Sequence, residues 1–148
     1  MSVRRALALS LVAGSLGACA TTKPPSMRVQ ALDFGKVGVT GVSVDVAFML
    51  RNVNPEPLRI DRFEYDLELN GHRLGRGYYG EPIQIDGFKE ERVVSRFDIN
   101  FLSVPGTVRA VLDKDKARAR AKGKFYVQQG GSQKTLKFDS DAEVRLRH

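Results

Sequence analysis

From Val42 to Leu50 every second residue is apolar: Val42, Val44, Val46, Phe48 and Leu50, with Ser43 and Asp45 between them. A period of two is the spacing of a β-strand, whose side chains alternate between faces, so this run offers one face to a core and one to water. The pattern returns at Val93, Ser95, Phe97, Ile99 and Phe101. A chain built on amphipathic strands must bury them against one another, which points to an all-β domain. The breaks between runs have equally plain causes. Asn52-Val53-Asn54-Pro55-Glu56-Pro57 ends the first strand, because proline has no amide to donate and asparagine side chains bond their own turns. In the next run Leu58 and Ile60 share one parity while Phe63, Tyr65, Leu67 and Leu69 share the other, so a bulge or bend is expected near Asp61-Arg62. Asn70-Gly71, ahead of Arg73-Leu74, reads as a hairpin turn because both residues tolerate positive φ, and Asp86-Gly87 marks another turn.

One segment departs from this rhythm. Ser103 as N-cap and Pro105 just inside it open a stretch in which Val104, Val108, Val111 and Leu112 fall on one helical face, predicting a short helix over about 104–116. Two long runs follow, Ala117 to Gln128 and Gln133 to Arg147, around the turn candidate Gly130-Gly131. In the first, Arg118, Arg120, Lys122 and Lys124 alternate as a cationic stripe that could meet phosphates of nucleic acid or lipid. A different reading accounts for both faces. If the two glycines are the central turn residues, Arg118 faces Glu143, Arg120 faces Asp141 and Lys122 faces Asp139, while Ala117 faces Val144, Gly123 faces Phe138 and Phe125 faces Leu136. The stripe is then neutralised within the hairpin, and no nucleic-acid partner is expected.

The N-terminus is organised differently. Arg4 and Arg5, an apolar stretch from Ala6 to Ala13, and small residues up to Ala18 form the three zones of an export signal. An apolar run of about 8 residues reaches about 12 Å as a helix, far short of the roughly 30 Å hydrocarbon core, so a cleaved signal over 1–18 is expected rather than a membrane span. Leu16-Gly17-Ala18-Cys19 resembles the lipobox of bacterial lipoproteins, which implies signal-peptidase recognition at Leu16, Gly17 and Ala18. It also implies acylation of Cys19, the sole cysteine of the chain. The alternatives are a plain secretory signal cut after Ala18 or Ala20, and a buried free cysteine in a cytosolic protein. In Gram-negative lipoproteins an aspartate after the cysteine resembles an inner-membrane retention signal. Ala20 is not one, so the outer membrane, periplasmic face, is expected there, and otherwise the extracytoplasmic face of the cell membrane. Residues 19–27, with Pro24 and Pro25, read as a lipidated cysteine and semi-rigid tether. Residues 28–148 suffice for one core and are too few for two. Without Arg4 and Arg5 the 24 basic residues fall to 22 against 17 acidic ones, a modest surplus. A single cysteine allows no disulfide within the chain, so burial alone must hold the domain.

Catalytic signals are weak. Gly75-Arg76-Gly77-Tyr78-Tyr79-Gly80 spells a dinucleotide fingerprint, yet a hairpin strand precedes it and Pro82 and Ile83 follow, where a phosphate-binding helix would be needed. The glycines fit a bulge or an edge twist instead. With His72 beside a turn and His148 at the end of the chain, a Ser-His-Asp set or a histidine-rich metal site has too few members. No catalytic residue, metal or cofactor is expected.

The stretch from Val42 to Gly77 resembles the core of the LEA type 2, or WHy (water stress and hypersensitive response), domain family. The likeness lies in an alternating strand running into Asn54-Pro55, Leu58 and Ile60, an aromatic strand ending at Leu69-Asn70-Gly71, and Gly75-x-Gly77 after it. It extends more weakly from about Val29 to Val144. The resemblance implies an immunoglobulin-like or fibronectin-III-like antiparallel β-sandwich with one helix, no enzymatic activity, and a part in desiccation or stress tolerance. A rival reading is an accessory lipoprotein that binds a lipid or an envelope protein. Its candidate surface is the Asn52–Pro57 loop, with Asn52, Asn54 and Pro55, together with Tyr78 and Tyr79.

Overall fold

The computed structural model describes residues 22–103 and 106–148. The order of elements is β1 (Ser26–Phe34), β2 (Gly41–Arg51), β3 (Leu58–Leu69), β4 (His72–Tyr79), β5 (Ile83–Ile85), β6 (Glu90–Asn100), α1 (Gly106–Leu112), β7 (Lys116–Gln129) and β8 (Ser132–Arg147). The strands form one eight-stranded sheet in the order β4-β3-β7-β8-β1-β2-β6, with β5 beside β3. The sheet folds over until its terminal strands β4 and β6 meet, so the all-β sandwich with one short helix is realised as two continuous layers close to a barrel. Every pairing is antiparallel except β1 with β8, which run parallel over Ala31–Asp33 and Arg145–Arg147.

Alternation places the core where the period of two required. Val42, Val44, Val46, Phe48 and Leu50 are buried, as are Leu58, Ile60, Phe63, Tyr65, Leu67 and Leu69. The phase change in β3 is a bulge: Ile60 pairs with Val127 and Arg62 with Tyr126, leaving Asp61 as the extra residue. Its carboxylate accepts from Gln128 Nε2 (2.7 Å) and Gln133 Nε2 (3.2 Å). A second bulge falls at Leu74 in β4, in the glycine-rich stretch. A third lies between Val29 and Ala31, and it moves burial in β1 from Met27 and Val29 to Leu32 and Phe34. β1 takes in Ser26 and Met27, the last two residues of the stretch expected as tether. The turns Asn70-Gly71 (φ 47° and 82°) and Gly130-Gly131 (φ 57° and 83°) both use the left-handed region that two-residue hairpins require.

The helix is shorter than 104–116, and its expected first residues Val104 and Pro105 lie outside the described residues. It stops at Leu112 because the next residues are claimed elsewhere. Lys114 N–H bonds back to the Val111 carbonyl (3.2 Å), and the Asp115 carbonyl accepts Leu146 N–H (2.9 Å), which draws the chain into β7. The Ser103 hydroxyl donates to the Asn100 carbonyl (2.9 Å), a bond that points back toward β6.

The β7–β8 hairpin adopts the expected register, with Arg118 opposite Glu143, Arg120 opposite Asp141 and Lys122 opposite Asp139. The ion pairs themselves are displaced by one rung. Lys116 meets Glu143 (3.7 Å), Arg118 meets Asp141 (2.7 Å) and Arg120 meets Asp139 (2.6 Å). Strand twist brings diagonal neighbours within reach of long side chains, and arginine exploits it.

Candidate functional site

The connection from β2 to β3 rests on two asparagines. Prolines at 55 and 57 interrupt the ladder, so backbone groups nearby need other partners. Asn52 supplies them. Its Nδ2 donates to the carbonyls of Glu56 (2.7 Å) and Ile85 (3.0 Å), and its Oδ1 accepts from the N–H (2.9 Å) and Nδ2 (3.2 Å) of Asn54. Asn54 then clasps the N-terminal segment: Oδ1 accepts Lys23 N–H and Nδ2 donates to the Lys23 carbonyl, both at 2.9 Å. The Asn54 carbonyl also accepts Phe88 N–H (3.1 Å), and Asn52 N–H bonds the Lys89 carbonyl (3.0 Å). Three segments distant in sequence are thereby tied at one node. Both side chains are buried, and a buried polar network with its members satisfied makes a local structure rigid.

The turn beside this node is tight. A Cβ on Gly87 would lie 1.9 Å from the Pro55 carbonyl oxygen, so only glycine lets the two loops close together. Phe88 follows with φ 59°, a left-handed conformation that is strained for a bulky side chain, and 58% of the residue is exposed. On the other flank of the node a cleft of ≈ 370 Å³ is lined by Thr22, Asn54, Leu58 and Gln129 among others. Gln129 Nε2 donates to Thr22 Oγ1, while its buried Oε1 has no partner among the described residues.

Tyr78 and Tyr79 end β4 and point to opposite faces. Tyr79 stacks on Phe63 (5.2 Å between ring centres), and Tyr78 is 57% exposed. Behind them lies the seam of the folded sheet. Tyr65 Oη donates to Ser95 Oγ (2.9 Å), which donates to the Tyr78 carbonyl (3.2 Å), so a hydroxyl chain joins β4 to β6. Burial pushes the Tyr65 phenol up to about 12, against the opposing pull of the Ser95 hydrogen bond. A Cβ on Gly77 would stand 2.1 Å from the Tyr65 ring, so the ring lies across a position that must stay bare.

The proposed surface therefore divides. Asn52 and Asn54 are interior and their amides are spent on the fold, whereas Pro55 and Tyr78 are exposed and Tyr79 is half-buried. Cys19, Leu16, Gly17 and Ala18 lie outside the described residues. Reading the sequence set Ser95 in the inward row but gave no role to its lone hydroxyl between Val93 and Phe97. It missed Phe88, a bulky residue directly after a turn glycine. Among the described residues no group of three or more His, Cys, Asp or Glu could hold a metal ion, and no helix is long and apolar enough to cross a membrane. The outer face of the hairpin is largely self-neutralised. A hydrogen bond from Arg120 holds the Asp139 carboxyl below its ordinary range, and one from Arg96 does the same for Asp45.

The family model described as late embryogenesis abundant protein matches residues 47–142, well over half of the chain. No curated protein matches significantly. Among solved structures, the solution structure of AT1g01470 from Arabidopsis thaliana has a TM-score of 0.65 at 13% identity, covering 86% of this chain and 85% of that one. A crystal structure of a protein from Archaeoglobus fulgidus has a TM-score of 0.49 at 19% identity, covering 81% and 94%. The solution structure of the late embryogenesis abundant protein At2g46140.1 has a TM-score of 0.49 at 18% identity, covering 91% and 76%. The first of these shares the fold.

Proposed function

Because the chain belongs to the late embryogenesis abundant protein family, we propose that it is a lipid-anchored envelope protein that supports tolerance of desiccation and related stress. Membership connects it with stress- and desiccation-related proteins that are generally non-enzymatic. The family match across the folded β-domain is the observation that carries this reading. Two further features support it. The order of charge, apolar run, small residues and Cys19 at the N-terminus suits lipoprotein processing. The outer strand faces carry arginine–carboxylate pairs such as Arg96–Asp45 and Arg120–Asp139, which present a hydrated polar exterior. Held at a membrane, such a surface keeps neighbouring components apart as water is withdrawn, with no catalytic step required.

The anchor is tested by the intact mass of the protein isolated from its host. Acylated Cys19 as the first residue supports it, and an unmodified cysteine or a chain retaining residues 1–18 sinks it. The stress role is tested by survival of a deletion strain on drying. Loss of survival, restored by the wild-type chain, is expected, and unchanged survival rejects the role. A second reading, a binder of a lipid or an envelope partner, draws on the exposure of Tyr78. Specific co-purification that disappears in Tyr78→Ala would favour that reading over general protection.

A further inference from the structure

The end of the sandwich where the N-terminal segment joins the body is fixed in place and carries an outward aromatic ring. Thr22 is held by Gln129, and Lys23 by both polar atoms of the Asn54 side chain. The backbone of Asn54 in turn holds Phe88, so Phe88 is one residue removed from the point at which the chain leaves the domain. From Thr22 back to Cys19 is a step of three residues, at most about 10 Å when fully extended. We propose that this end of the domain rests against the bilayer, with the Phe88 ring seated among the lipid head groups. The inference depends on acylation of Cys19.

Geometry and chemistry agree on that occupant. A head-group layer is about 5–8 Å deep on each side of the hydrocarbon core, so a body tethered within about 10 Å of its acyl chains reaches it. Phe88 is more than half exposed, and the exposed Pro55 lies directly behind the Gly87 turn. A left-handed backbone favours glycine or asparagine, yet a phenylalanine occupies the position, its backbone fixed by bonds on both sides, Phe88 N–H to the Asn54 carbonyl and Lys89 N–H to the Asp86 carbonyl (3.0 Å). Strain retained at a surface aromatic fits a contact made outside the chain. Lys23 and Lys89 are offset by Glu56 and Asp86 in the same region, so the contact is carried by the ring and resists salt. Val39 at 95% and Leu102 at 88%, the most exposed of the large apolar residues described, sit at the opposite end, where Phe101 N–H bonds the Thr40 carbonyl. In this orientation they face away from the membrane.

The chain has no tryptophan, so a single introduced one reports its own surroundings. Phe88→Trp and Val39→Trp are each produced as full chains in the host, checked by intact mass, and reconstituted in phosphatidylethanolamine–phosphatidylcholine vesicles with or without brominated acyl chains. Acylated Phe88→Trp should show blue-shifted emission that is quenched by brominated lipid and unchanged by high salt, while acylated Val39→Trp keeps water-like, unquenched emission. Acylated protein with no quenching at 88, or with stronger quenching at 39, overturns the inference while leaving the anchor intact. A mass without acyl chains removes the anchor and the inference together. Amide hydrogen exchange on the unsubstituted protein reads the same face if Phe88→Trp misfolds. Slowing at Gly87–Lys89 on vesicles, relative to Cys19→Ser protein in solution, is expected, and slowing confined to 36–40 rejects the orientation.

Discussion

Asn52 replaces the strand ladder that Pro55 and Pro57 remove, bonding two carbonyls and an amide through one side chain. Asn52→Ala would take this partner from the Ile85 carbonyl and the Asn54 N–H, both in buried contacts. We expect a loss of about 2–4 kcal/mol, read from urea unfolding. Tyr65 offers a test by pH. Its phenol titrates near 10.0 when unfolded and at about 12 when folded. The unfolded chain therefore releases its proton first. The associated stability is full below pH 10 and is lost as pH rises through about 12, by about 2–3 kcal/mol. Tyr65→Phe should flatten that alkaline slope while costing about 1 kcal/mol at neutral pH for the lost bond to Ser95. Phe88→Asn relieves left-handed strain, and a stability gain of up to about 1 kcal/mol by thermal melting is expected. At this scale legibility was mixed. Asn52 and Asn54 stood out by type, but a turn asparagine on a surface and one plugged into the interior have the same letters. What separates them is the β5–β6 turn, which arrives from more than thirty residues away.

Elements were easier to read than their partners. The period of two located β2 and β6, the parity change located the Asp61 bulge, and paired glycines set the register of β7 with β8. β1 was less visible because its own bulge near Gln30 breaks the alternation, leaving both Ala31 and Leu32 buried. The helix was overextended because apolar spacing cannot sense that the Asp115 carbonyl is claimed by β8. Directly opposed residues were the natural choice for ion pairs, yet twist selects the diagonal ones. A double-mutant cycle should therefore show coupling for Arg120 with Asp139 that fades with added salt. Little coupling is expected for Arg120 with Asp141, despite their facing positions. A stronger coupling to Asp141 would mean that the twist relaxes in solution.

For the whole molecule, the decisive contact is the short parallel pairing of β1 with the end of β8, which joins the two ends of the described chain. Nothing in local pattern announces it, since a parallel pair of distant strands leaves no turn between them. Leu146 is buried there and bonded to Asp115. Deleting residues 145–148 should open the sheet between β8 and β1, lower the melting temperature and reduce the cooperativity of unfolding; an unchanged melt would show that β7–β8 and β1–β2 hold without that link. The clasp of Asn54 on Lys23 bears on the same architecture when it is loaded from outside. A pull applied through the N-terminus arrives first at the bond from Gln129 to Thr22 and at the two hydrogen bonds between Lys23 and the Asn54 side chain, and only then at the rungs of β1. Those three bonds work as a mechanical fuse, yielding and lengthening the leash by a few residues before the strands are loaded.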